Sequence, residues 1–86
     1  MIVLDLYSKD DCSLCERVKA TIRRVQQDIP FTFREVLLVP GTDLEKELRD
    51  DIPVLHVNGV FFSRQFLSGS DLTKHLMNLV DSGKNG

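Results

Sequence analysis

Apolar residues along the chain fall into short blocks whose spacing changes from one block to the next. Met1–Tyr7 is apolar apart from Asp5, which predicts a first strand. Ser8–Asp11 is small and polar and predicts a loop. Leu14, Val18, Ile22, Val25 and Ile29 then recur at helical spacing, with Arg17, Lys19, Arg23 and Arg24 off the stripe. Asp10 or Asp11 is placed to cap this first helix, and Pro30 stops it. Phe31, Phe33 and Val36–Val39 predict a second strand, broken by Pro40-Gly41. Thr42-Asp43-Leu44-Glu45 matches a capping box opening a short second helix to about Arg49. Only Leu44 and Leu48 give that helix anything to bury.

Pro53–Val57 predicts a third strand, and Asn58-Gly59 the hairpin turn after it, since both residues tolerate positive φ. Val60–Ser63 is then the antiparallel fourth strand. The final helix opens near Ser68–Asp71, with Leu67 and Leu72 positioned to staple its start around a Ser68 cap. Its buried stripe is Leu72, Leu76, Leu79 and Val80. The order β-α-β-α-β-β-α predicts one α/β domain over residues 1–80, followed by a flexible polar tail, 81–86. A βαβ unit pairs its strands in parallel, and the hairpin extends the sheet in the antiparallel sense. The result is a four-stranded mixed sheet with helices on both faces.

Composition narrows the possible functions. The chain has 86 residues, 42% hydrophobic and 28% charged, which suits one small globular domain. A net charge of −2 offers no footprint for nucleic acid or an anionic membrane. No apolar run approaches the roughly 20 residues of a membrane span. Met1–Asp5 lacks the basic start of a signal peptide, so a cytoplasmic location is expected. Thiols stay reduced there, which favours a catalytic or metal-binding role for the two cysteines over a structural disulfide.

Those two cysteines, Cys12 and Cys15, form a Cys-x-x-Cys pair at the first strand-to-helix junction, a placement suited to thiol–disulfide exchange. A helix N-terminus favours the thiolate of Cys12 through its unpaired N–H groups and partial positive charge. Cys15 lies one turn on, with Cβ atoms roughly 5–6 Å apart at such spacing, close enough to bridge. Cys12 is the expected nucleophile and Cys15 the resolving thiol. Asp10 and Asp11 act against the thiolate. A structural zinc site needs four ligands; besides the cysteines only His56 and His75 remain, at a spacing far from the usual finger pattern, so no metal is expected, a dimer sharing two cysteine pairs being the open alternative. Cys-His hydrolysis lacks a partner motif.

Tyr7-Ser8-Lys9-Asp10-Asp11-Cys12-Ser13-Leu14-Cys15, then Asp51-Ile52-Pro53-Val54-Leu55, then Asn58-Gly59 follow one another in an order that resembles the small glutaredoxin-like proteins. The resemblance covers about residues 1–80. It implies a thioredoxin fold and a thiol–disulfide oxidoreductase that reduces protein or glutathione mixed disulfides. It also implies a cis Pro53 facing the cysteines and an Ile52 backbone that pairs with extended substrate. By the same resemblance, Lys9 stands near the thiolate or a glutathione carboxylate, Tyr7 lines the groove and Asp71 meets ligand at the last helix. No tightly bound cofactor is implied, glutathione is a candidate co-substrate and the partner carries a disulfide; a monomer is expected, with the oligomeric state left open by the sequence. The chain departs from glutaredoxins in two places and from thioredoxins, which carry Trp before the first Cys, in a third. Ser13 and Leu14 replace the usual Pro and aromatic, there is no Trp, and Phe62–Asp71 lacks the Gly-Gly that holds glutathione. That last gap weakens both glutathione use and iron–sulfur binding. The alternatives are a non-catalytic interaction or redox-sensing module, a solvated Lys9, a Tyr7 that only packs, and an Asp71 that only caps its helix. Phe61, Phe62 and Phe66 are either core or a docking patch.

Overall fold

The computed structural model describes residues 1–85, with side chains described through Asp81. Its elements are β1 (Val3–Ser8), α1 (Ser13–Gln26), β2 (Thr32–Leu37), α2 (Asp43–Leu48), β3 (Val54–Val57), β4 (Val60–Arg64) and α3 (Gly69–Asn85). The sheet order is β2-β1-β3-β4; β1 runs parallel to β2 and antiparallel to β3, and β3 is antiparallel to β4. This is the thioredoxin arrangement, an α/β fold with a four-stranded mixed sheet.

β1 is the hinge of the layering because its side chains alternate strictly. Leu4 and Leu6 are fully buried with Leu55 and Val57 of β3, under Val18, Ile22 and Val25 of α1 and Leu72 and Leu76 of α3. Tyr7 and Val54, on the opposite parity, pack with Ile52, Leu38, Cys15 and Leu48 of α2. Helices therefore cover both faces, but unequally. α2 has no buried residue, as its two apolar positions suggest.

The caps follow local chemistry. Thr42 Oγ1 accepts from Glu45 N at 3.3 Å, while Glu45 Oε1 accepts from Gly41 N at 3.1 Å, one residue earlier than a standard capping box. Ser68 Oγ accepts from Asp71 N at 3.3 Å, with Leu67 and Leu72 both buried. Three sequence expectations change. The α1 stripe starts at Cys15, 1% exposed, and Leu14 turns outward at 37%. Cys15, Val18, Ile22 and Val25 keep 3- and 4-residue spacing, and a thiol packs as a small hydrophobe. α1 ends at Gln26, so Ile29 reaches the core from the loop, its N–H bonded to Val25 O at 3.0 Å. α3 continues to Asn85 where a polar tail was expected from Asp81, and Gly86 of that expected tail lies outside the described residues.

A register shift between Leu55 and His56 splits the aromatic group of β4. Phe62 packs on the main core and against the His75 ring at 4.8 Å. Phe61 pairs with His56 and stays 57% exposed; Phe66, past the strand, is 75% exposed.

The hairpin turn carries φ of 52° at Asn58 and 80° at Gly59. Asn58 Oδ1 also accepts from Val3 N at 2.8 Å, tying the turn to the start of β1. Asn58→Ala loses this bond and places a Cβ residue without local polar compensation at positive φ, a cost of about 1–2 kcal/mol. Asn58→Gly loses only the bond and should cost less. Urea unfolding of both variants checks the order; a more stable Ala variant would refute it.

Candidate functional site

The site begins where β1 stops. Leu38 N donates to Ser8 O at 2.8 Å, extending the β1–β2 ladder to the last residue of β1. The chain then turns through Lys9, Asp10 and Asp11 into α1. Asp11 takes φ of 54°, a left-handed conformation that Asp tolerates better than most residues. This turn makes Cys12 itself the N-cap of α1, a role expected of Asp10 or Asp11. Its Sγ accepts from Cys15 N at 3.1 Å. The two sulfurs are joined, with Cα atoms 5.2 Å apart. Cys12 is half-buried and Cys15 is 1% exposed, so partners meet only the first sulfur directly.

Beside Cys12 lies a cleft of about 580 Å3, lined by Lys9, Asp10, Asp11, Ser13, Glu16, Lys19, Glu35 and Leu37. Its floor is a chain of polar contacts. Ser8, fully buried, donates its hydroxyl to Glu35 Oε2 at 2.8 Å. Lys19 Nζ bridges Glu35 Oε2 at 3.0 Å and Glu16 Oε2 at 2.6 Å. Burial pushes the Glu35 carboxyl up, but the Ser8 hydroxyl and the Lys19 ammonium outweigh it and hold Glu35 below its ordinary value. The hydrogen bond to Glu16, then that to Glu35, raises Lys19.

The other side of Cys12 is apolar. Ile52 and Pro53 are both buried and joined by a cis peptide. Ile52 belongs to the cluster holding Cys15, against which Tyr7 and Cys12 pack. Tyr7 also meets the His56 ring edge-on at 5.0 Å. The structure thus brings together Cys12, Cys15, Tyr7 and Ile52, with Lys9 lining the cleft beside Cys12 and Pro53 following Ile52 in the chain. The Ile52 N–H, however, already donates to Leu48 O at 3.1 Å, so substrate pairing through it requires breaking that bond.

Asp71 is not brought to the pair. It sits exposed in the first turn of α3, whose Gly69 lies against Thr21 and Val25 of α1. Thr21 is more than two helical turns from Cys12, roughly 13 Å along the axis. Among the described residues no group of three or more His, Cys, Asp or Glu side chains converges as a metal site. No described helix is long and apolar enough to cross a membrane.

Ser8, Lys19 and Glu35 were not foreseen as site residues. The signal available for Glu35 was its parity: it pairs with Leu6, so it shares the α1 side of β2 with Phe33, where a lone carboxylate needs a partner. Glu16 and Lys19, three apart on α1, supply the rest.

A Cys-x-x-Cys disulfide capping the first helix of a thioredoxin fold defines a class of thiol redox modules. Within it, residues 3–77 match the family described as Glutaredoxin-like domain (DUF836), and the chain belongs to that family. Solved structures agree on the fold. Protein Ne2328 from Nitrosomonas europaea superposes with a TM-score of 0.73 at 22% identity, covering 86% of this chain and 89% of its own. A thioredoxin-like protein from Bacillus cereus gives 0.61 at 19%, covering 91% and 87%. Glutaredoxin 1 from Francisella tularensis gives 0.50 at 12%, with both chains fully covered.

Asp11→Gly should hold or raise stability, since Gly adopts positive φ freely, while Asp11→Val should cost about 1–2 kcal/mol. Thermal unfolding of the pair checks it. For pH, Glu35 is depressed in the folded state, so its contribution is full above the unfolded carboxyl value and is lost as pH falls through the folded one. Glu35→Gln should therefore flatten the acid limb of stability, measured as the urea midpoint between about pH 6 and pH 3. An unchanged acid limb would remove Glu35 from the account.

Proposed function

We propose that the protein is a thiol–disulfide oxidoreductase that reduces protein or glutathione mixed disulfides with the Cys12–Cys15 dithiol. The observation that carries this reading is the asymmetry of the pair. Cys12 is accessible at a helix N-terminus and its sulfur receives an N–H, while Cys15 is buried within disulfide reach. The helix end and the N–H favour negative charge on Cys12 Sγ. In the reduced protein, the Cys12 thiolate attacks a partner disulfide, forming a mixed disulfide and releasing one partner thiolate. Cys15 then loses its proton and attacks Cys12 Sγ, which releases the second thiolate and forms the Cys12–Cys15 bond. Two electrons pass from the dithiol to the partner. The exchange requires only sulfur, so no tightly bound cofactor enters it. A second cellular thiol system, glutathione or a protein dithiol, resets the pair, and a cytoplasmic setting suits that direction of flow.

Family membership and the fold support this reading without specifying the substrate. A redox-sensing module that turns over no substrate is the second reading. The occupied Ile52 N–H favours it, because that group is then not free to pair with a substrate backbone.

Cys15→Ser should trap a covalent adduct between Cys12 and a disulfide substrate, visible by non-reducing electrophoresis and mass spectrometry. Cys12→Ser should trap none. The wild-type pair should titrate between about −180 and −270 mV, the range of known dithiol oxidoreductases. A pair that titrates far below this range and reduces no mixed disulfide would move the assignment to the sensing module.

A further inference from the structure

We propose that the cleft beside Cys12 selects cationic disulfide partners, namely protein segments with Lys or Arg next to the reacting cysteine, over glutathione. This rests on the dithiol reading above and names its substrate class. Cys12 Sγ supplies the bond that holds the partner; the charges around it decide which partner approaches.

The cleft sets four carboxylates, Asp10, Asp11, Glu16 and Glu35, against two lysines. Lys19 is taken up internally, at 2.6 Å from Glu16 and 3.0 Å from Glu35, and one ammonium cannot neutralise both. Lys9 is the other lysine, and it stands directly before the exposed pair Asp10-Asp11. Arg23 adds a cation behind Glu35 and the helix end adds partial positive charge at Cys12 Sγ, so the excess of two carboxylates over lysines in the lining is presented at the exposed Asp10 and Asp11. Glutathione brings two carboxylates and one ammonium near neutral pH, and its carboxylates meet like charge here. A Lys or Arg beside a partner cysteine meets Asp10 or Asp11 instead. Leu37, 54% exposed at the lip, offers an apolar contact for the stem of such a side chain.

Exposed charges act over a Debye length of about 8 Å at physiological salt, which spans a cleft of this size. Steering of this kind changes association rates by roughly 10–1000-fold. The exchange remains the balanced two-step transfer given above; only the approach rate depends on charge.

The test mixes reduced full-length protein with disulfide-linked peptides matched in length, carrying either Lys or Glu on both sides of the cysteine, and with glutathione disulfide. Single-turnover rates are divided by those of dithiothreitol on the same substrates, which removes intrinsic reactivity. At low salt the Lys peptide should react at least about 10-fold faster than the Glu peptide, and faster than glutathione disulfide. The ratio should fall toward one in roughly 0.5 M salt. It should also fall severalfold in the double variant Asp10→Asn, Asp11→Gly, whose Gly suits the positive φ at that position. Equal normalised rates for the Lys and Glu peptides would overturn the charge selection and leave the dithiol reading intact. No reaction with any disulfide would overturn the dithiol reading itself.

Discussion

The structure depends on β1 being hydrogen-bonded on both edges and buried on one face before it turns into α1. Leu4 and Leu6 anchor it in the core, β2 and β3 flank it, and Ser8 is its last buried residue. A strand held this way has one exit, at its C-terminal end, and α1 must start there to lay Val18, Ile22 and Val25 over the same leucines. The three residues between have little freedom. Asp11 absorbs the bend in a left-handed conformation, and Cys12 receives the cap position as a result. Chemistry at Cys12 is thus a consequence of how a central strand and its crossover helix pack.

Much of this was legible in the sequence because it rests on periodicity and turn chemistry. Val18, Ile22 and Val25 mark α1, and Asn58-Gly59 marks the hairpin that the structure places at positive φ. The errors have specific causes. Leu14 and Cys15 both lie within reach of the α1 stripe, and hydrophobicity alone favours the leucine, whereas the rotation set by the Cys12 cap buries the thiol. The aromatic run Phe61-Phe62 cannot be sorted by strand alternation alone, because the shift at Leu55/His56 alters its pairing.

The site was readable in its sulfur chemistry and less so in its electrostatics. Cys12, Cys15, Tyr7 and Ile52 pack together with Lys9 beside them, while Asp71 lies on an α3 turn whose Gly69 meets Thr21 and Val25. The Ser8–Glu35–Lys19–Glu16 chain draws on three elements, so no local window contains it. A carboxylate on the core-side parity of an edge strand is the kind of local inconsistency that tends to mark a constrained or functional position.

The thin attachment of α2 has a consequence for how the molecule fluctuates. α2 buries no residue, and Leu48, itself partly exposed, is its contact with the cluster around Cys15. Segments with so few buried contacts open at free energies well below that of global unfolding. Residues 39–51, between the buried Leu38 and Ile52, therefore form a softer unit clipped onto a stiff strand–helix body. Its loosening would free the Ile52 N–H from Leu48 and loosen the apolar cluster against which Cys12 packs, while the main core stays closed.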